Sequence, residues 1–252
     1  MRVLILSDIH ANLVALEAVL ADAAQLGWDK VWCLGDVVGY GPEPTACVER
    51  IHALAPDVWV AGNHDWATIG RLDIEDFNPE ARRAVLWTRE HLSPEARAYL
   101  EALPDEPVVR GDFTITHGSP RYPIWEYILD PFTALVNFSY FETPYCLVGH
   151  SHVPRLFRWQ APAEGEGEGT CVELEPVYDK RISLAGDHRL IINPGSVGQP
   201  RDSDPRACYA WLDTEEMTWR FRRVRYSVEM TQARMRAADL PERLINRLSF
   251  GW

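Results

Sequence analysis

The chain has 252 residues, enough to bury a large core, and 25 Lys+Arg against 37 Asp+Glu give it a formal net charge of −12. That balance argues against a surface built to hold DNA or RNA by counterion release, so a phosphate-bearing substrate needs local positive charge from metal ions or a few placed arginines. Five scattered cysteines without a CxxC pair, no charged-then-apolar leader and no apolar run of membrane-spanning length point to a reduced, cytoplasmic protein without a membrane partner.

The first apolar run, Val3-Leu4-Ile5-Leu6, reads as a strand ending in Ser7-Asp8-Ile9-His10. Apolar residues at Leu13, Leu16, Val19, Leu20, Ala23 and Leu26 mark one face of a helix, with Asn12 placed to cap it and Gly27 to stop it. Val31-Trp32-Cys33-Leu34 then leads into Gly35-Asp36, which completes a βαβ unit and so predicts a parallel pair. A helix follows from Pro44 to Leu54, and a strand from Asp57 to Ala61 delivers Gly62-Asn63-His64-Asp65. Between Asn78 and Leu103 two helices are expected, because Asn78-Pro79-Glu80 and Ser93-Pro94-Glu95 each set a capping residue before a proline suited to the first helical position. This helical segment, 78–103, is read as an outer layer or cap.

Val108 to Thr116 returns to the sheet and ends at His117-Gly118. A helix from about Pro131 to Phe141 precedes the strand Tyr145-Cys146-Leu147-Val148, which runs into Gly149-His150-Ser151-His152. The second half changes character: Val153 to Trp159, Cys171 to Val177, His188 to Ile192, Ala207 to Leu212 and Thr218 to Tyr226 read as short strands of a more antiparallel sheet. The Glu/Gly run 163–169 reads as a hairpin loop, Arg220, Arg222, Arg223 and Arg225 as a basic strip or a solvated edge strand, and Ser227 to Leu240 as a closing helix. The repeat of strand, polar turn and helix predicts a layered α/β fold.

Five of the eight histidines, His10, His64, His117, His150 and His152, fall in the turns after strands. With Asp8, Asp36 and Asn63 they make a donor set of imidazole, carboxylate and amide without thiolate, which suits Mn, Fe or Zn in a catalytic site and not a closed structural zinc. The donors are too many for one ion, so two ions sharing a bridging carboxylate is the economical arrangement. His52, His91 and His188 are read as ordinary polar residues, and Cys33 and Cys146 as core thiols.

The blocks Asp8-Ile9-His10, Gly35-Asp36, Gly62-Asn63-His64-Asp65, His117 and Gly149-His150-Ser151-His152 resemble, in order and in type, the signature of the calcineurin-like metallophosphoesterases. The stretch from Asn193 to Arg201 is similar to a later motif of small prokaryotic phosphodiesterases in that family. The resemblance implies one domain over residues 1–252, built as a four-layer sandwich of two mixed β-sheets flanked by helices. It implies that Asp8, His10 and His152 hold one metal, Asn63, His117 and His150 a second, and that Asp36 bridges them, with manganese favoured and a metal-bridging hydroxide as nucleophile. His64, oriented by Asp65 and with a pKa near the working pH, would stabilise the transition state or protonate the leaving oxygen.

Asn63, Tyr40 and Arg201 are candidate substrate contacts, and Trp66, Tyr122 and Trp125 join Tyr40 as rings able to face a base. Tyr40 stands in the stretch where the family's protein phosphatases and diadenosine tetraphosphatases place an arginine, which weighs against a phosphoprotein substrate. The expected substrates are small phosphodiesters or nucleotides, with dinucleoside polyphosphates as the alternative and no stable nucleic acid partner. A metal-binding scaffold without catalysis is the reading from another class. No GxxxxGK[ST], HExxH or GxSxG motif is present, so P-loop phosphoryl transfer, zincin proteolysis and serine esterase chemistry lack their signatures.

Overall fold

The computed structural model describes residues 1–104, 106–162 and 169–252. In chain order the elements are β1 (Arg2–Leu6), α1 (Leu13–Leu26), β2 (Lys30–Cys33), α2 (Pro44–Ala53), β3 (Val58–Trp59), α3 (Asn63–Ile69), α4 (Pro79–His91), α5 (Pro94–Glu101), β4 (Val108–Arg110), β5 (Phe113–Ile115) and α6 (Pro131–Asn137). After a short 3-10 turn come β6 (Tyr145–Leu147), β7 (Arg155–Gln160), β8 (Thr170–Leu174), β9 (Ile182–Ser183), β10 (Arg189–Asn193), β11 (Ala207–Asp213), β12 (Thr218–Val224), α7 (Val228–Ala237) and α8 (Glu242–Arg247). The caps form where the sequence places them. Asn12, Asn78 and Ser93 accept from the amides of Ala15, Ala81 and Ala96, and prolines stand at the starts of α4 and α5.

The strands make two mixed six-stranded sheets, in the orders β3-β2-β1-β11-β12-β9 and β4-β5-β6-β10-β7-β8. In the first, β1, β2 and β3 are parallel and β11 joins β1 antiparallel; in the second, β5, β6 and β10 are parallel. Alternate residues of each strand face different layers. Val3, Ile5 and Trp32 of the first sheet meet Phe113, Leu147 and Ile192 of the second in the core between the sheets. Leu4, Leu6 and Cys33 face the other way, onto Leu16 and Val19 of α1, Ile51 of α2 and Leu100 of α5. Cys146 and Ile191 of the second sheet pack on Ala134 and Phe138. The layers are therefore helix, sheet, sheet and helix, and both faces of each sheet are buried.

Three expectations need correction. The late strands do not form a sheet of their own: β11, β12 and β9 extend the first sheet, while β7, β8 and β10 complete the second. The reason is pairing, since β10 inserts beside β6 in parallel, which strand periodicity does not reveal. β12 is only in part an edge, because β9 pairs with it at Thr218 and Trp219 and Tyr178 bridges to Phe221, and its arginines are not simply solvated: Arg222 is paired with Asp22 and Asp179, and Arg223 with Asp202. The chain also does not close on one helix. α7 ends at Ala237, and a second helix, α8, starts after Pro241. The helical segment 78–103 divides: α5 lies in the layer with α1 and α2, whereas Ala81 and Ala84 of α4 pack with Leu240, Leu244, Ile245 and Tyr40. The hairpin expected at 163–169 lies, but for Gly169, outside the described residues.

Candidate metal centre

Asp8, Asp36, Asn63, His117, His150 and His152 all follow the carboxyl ends of strands in the two sheets, where open α/β sheets expose a crevice. The turns are tied to one another. Asp8 N donates to Gly35 O at 3.0 Å and His10 N to Asp36 O at 2.9 Å. Within the second sheet Gly149 N donates to His117 O at 2.7 Å, and across the sheets His150 N donates to both Asp8 oxygens at 3.2 Å. Two glycines are required by this closeness. A Cβ on Gly62 would overlap Asp36 Oδ1, and one on Gly149 would overlap Ser7 Oγ.

The donors gather into two groups. Ligand atoms of Asp8, His10 and His152 lie within 4.8 Å of one another, as do those of Asp36, His117 and His150. Asn63 joins the second group, with Oδ1 3.3 Å from His117 Nε2. All of these side chains are buried.

Backbone carbonyls decide which ring nitrogen faces inward. Nδ1 of His10, His117 and His152 donates to Val38 O (3.1 Å), Leu34 O (2.8 Å) and Gln199 O (2.6 Å), so the Nε2 atoms are left to point at the centre. His150 is held the other way round, with Nε2 donating to Trp125 O at 3.2 Å and Nδ1 left over. His10 Nε2 and His152 Nε2 then stand 3.0 Å apart with lone pairs facing each other. Asp36 Oδ2 is buried without a hydrogen-bond partner, 3.6 Å from His10 Nε2 in one group and 3.4 Å from His117 Nε2 in the other. Converging lone pairs and an unpaired buried carboxylate oxygen are the surroundings that divalent cations satisfy, and the oxygen and nitrogen donors fit Mn, Fe or Zn.

Protonation follows the same geometry. Burial holds His10, His150 and His152 well below the usual imidazole range, which keeps them neutral, as ligands must be. Burial opposes ionisation of Asp36, but His117, His64 and His10 outweigh it and hold the carboxyl below its usual range. His117 itself is pushed up to about 9, since Asp36 overcomes the effect of burial. Burial, opposed by His117 and helped by Asp36, pushes Asp8 up to about 7. Protons therefore stand where cations would, and the two compete for the same atoms.

His64 lies at the edge of the cluster, its ring 4.2 Å from Tyr40 and 5.0 Å from His10, with a backbone amide donating to Asp36 Oδ1 at 2.8 Å. Two expectations for it change. Burial pulls its pKa down to about 4, away from neutrality. Asp65 does not orient the ring: its oxygens accept from Gly62 N (3.0 Å) and Val38 N (3.1 Å), capping α3 and tying it to the turn after Asp36. Tyr40 and Arg201 are brought together beside the cluster, the guanidinium 5.6 Å above the ring. Trp66 packs against the helical side of the first sheet and so does not face the site, and Tyr122 is exposed.

Several participants carried no sequence signal. The carbonyls of Leu34, Val38, Trp125 and Gln199 set the imidazole tautomers, yet any residue type supplies a carbonyl. Ser7 Oγ donates to Asp8 Oδ2 at 2.6 Å, whereas Asn193, whose Nδ2 donates to Gly149 O at 2.6 Å, does stand in the late motif. Tyr127 stacks on His150 at 3.8 Å.

A family model described as the calcineurin-like phosphoesterase superfamily domain matches residues 1–217. A metallophosphoesterase from Sphaerobacter thermophilus, known from a crystal structure, is 50% identical with a TM-score of 0.87, over 100% of this chain and 99% of that one. An uncharacterized protein of Methanocaldococcus jannaschii is 36% identical over 251 residues, which is 98% of this chain and 97% of the relative. The fold is shared with a hypothetical protein from Pyrococcus horikoshii OT3, at 23% identity and a TM-score of 0.79 over 100% and 98% of the two chains.

Proposed function

The chain belongs to the calcineurin-like phosphoesterase superfamily, and from that premise we propose that it is a cytoplasmic, manganese-preferring hydrolase of small phosphodiesters or nucleotides, acting as one domain over residues 1–252. The observation that carries the reading is the unpaired Asp36 Oδ2, buried between His10 Nε2 and His117 Nε2 and so facing both donor groups. Asp8, His10 and His152 would hold one divalent cation, Asn63, His117 and His150 the other, and Asp36 both. When bound, such a pair supplies Lewis acidity, drawing the pKa of water towards neutrality and neutralising charge on the phosphoryl oxygens.

The chain's own residues do the rest. Neutral imidazoles with fixed tautomers keep the donors aimed and spare the site a reorganisation during the reaction. His64 makes no side-chain hydrogen bond to the described residues, and burial keeps it neutral, so it has a ring N–H free to donate to the leaving oxygen. Arg201, beside Tyr40, is placed to donate to the non-bridging oxygens of the phosphate. Tyr40 and Phe77, packed on His64, keep bulk water from that side of the ring.

The test pairs metal analysis of untagged, manganese-loaded protein with turnover of bis(4-nitrophenyl) phosphate. Two ions per chain and hydrolysis are expected. Asp36→Ala should lose both; His64→Ala should keep the metal and lose rate by about 10²–10³-fold, the scale of one removed transition-state donor. Full activity in both variants would discard the mechanism.

A further inference from the structure

Beside the cluster lies a cavity of about 680 Å³, within the range of sites that enclose small ligands. Its wall is drawn from distant parts of the chain: Tyr40, Tyr127 and Arg201 near the cluster, and Arg243, Arg247 and Trp252 from α8 and the segment after it. Tyr40 connects the cavity to the first donor group through His10, 4.6 Å away, and Tyr127 connects it to the second by stacking on His150.

The charge of this wall runs against the charge of the protein. In a chain of net charge −12, three guanidiniums line the cavity against one side-chain carboxylate, Glu80, which stands 3.6 Å from Arg243. Arg201 donates to Gln199 Oε1 at 2.8 Å and has no carboxylate partner among the described residues, while Arg247 donates to the main-chain oxygen of Trp252. Arg201 Nε is buried with no acceptor at all. Burial and the charge of Arg201 push Arg247 down to about 10. A partly buried cation without a counter-ion, as Arg201 is, is stabilised by an anion brought from outside. At the same cavity Phe250 and Trp252 stack on each other at 4.7 Å while remaining 51% and 60% exposed, which leaves ring faces for a flat partner.

Resting on the phosphoesterase reading above, we propose that this cavity is a specificity site for a nucleoside polyphosphate, with a further phosphoryl group held by Arg201 and Arg247 and the base laid against Trp252 and Phe250. The phosphate under attack sits over the metal groups, and Tyr40 marks the passage from one region to the other. An aryl diester engages the metal groups alone. A nucleotide with a second phosphate engages both regions.

Calorimetric titration of manganese-loaded protein tests this with two probes, α,β-methylene-ADP, which resists hydrolysis, and inorganic phosphate. One nucleotide per chain is expected, and the ratio of nucleotide to phosphate affinity should fall about tenfold or more in Arg247→Ala and in Trp252→Ala, the second being an exposed residue whose loss leaves folding intact. A ratio unmoved in both variants would overturn the pocket. Turnover of bis(4-nitrophenyl) phosphate separates this from the function itself: turnover with an unmoved ratio removes the pocket and keeps the hydrolase, whereas a falling ratio without turnover keeps the pocket and removes the hydrolase.

Discussion

The floor of the site and the wall above it meet at Tyr40 but are built differently. On the floor, Asp8, His10, Asp36, His150 and His152 all have positive φ, between 49° and 64°, although none is glycine. Each such residue costs roughly 1–2 kcal/mol, and the set persists because crossed backbone hydrogen bonds among the turns leave it no alternative. On the wall, Arg243 and Arg247 belong to a six-residue helix in ordinary conformation, held on α4 and α7 by Leu244, Ile245 and Leu248. A centre that positions cations needs geometry fixed against its own ligands' repulsion. A surface that selects substrates needs long side chains able to adjust, and arginine on a short helix supplies them.

If that division is real, substitutions should fall into two kinetic groups, and the largest effect belongs to the floor. Gly62→Ala places a methyl group on Asp36 Oδ1 and 2.5 Å from Asp36 N, both fixed atoms. We expect the second metal to be lost and hydrolysis to fall to background in a protein that still melts cooperatively; unchanged metal content would mean that the floor has slack. Ser7→Ala should be milder. It removes the 2.6 Å hydrogen bond that steadies Asp8 Oδ2, so metal affinity should fall about 10–100-fold in a competition titration against a chelating dye. A variant with native affinity would place the constraint on Asp8 elsewhere.

The two regions also differ in how far the sequence discloses them. Each proposed floor ligand lies within a few residues of an apolar strand, so Asp8, Asp36, His117 and His150 can be found by reading strand and turn together. Caps such as Asn78-Pro79 and Ser93-Pro94 are local in the same way, and they fixed the starts of α4 and α5. The sheet assignment of the second half was not legible, because strand periodicity says nothing about partners and β10 pairs with β6 across some forty residues of intervening chain. Asp65 and Ser7 have side chains of the right chemistry, but only the fold shows that one caps a helix and the other steadies a ligand. Arg247 is harder still. It stands in a short helix without a motif, and its meaning comes from facing Arg201 and Tyr40 across a cavity.

The smallest expected effect lies at the strut between the regions. Asn12 Oδ1 caps α1 and also accepts from Thr231 Oγ1 of α7 at 3.0 Å, while Nδ2 donates to Gly198 O at 2.9 Å in the loop that follows β10. One side chain therefore joins the first sheet's helix, the loop beside Asp8 and the helical pair that carries the wall. Asn12→Ala should cost about 1 kcal/mol for the cap and a similar amount for the lost ties, lowering the melting temperature by roughly 2–4 °C per kcal/mol. Metal content should stay native, since Asp8, Asp36 and the four histidines proposed as ligands keep their own carbonyl or amide partners. Nucleotide affinity should weaken before aryl diester turnover does, because the wall loses its anchor while the floor keeps its crossed hydrogen bonds. Loss of metal at native melting temperature would reverse the assignment and make Asn12 part of the floor.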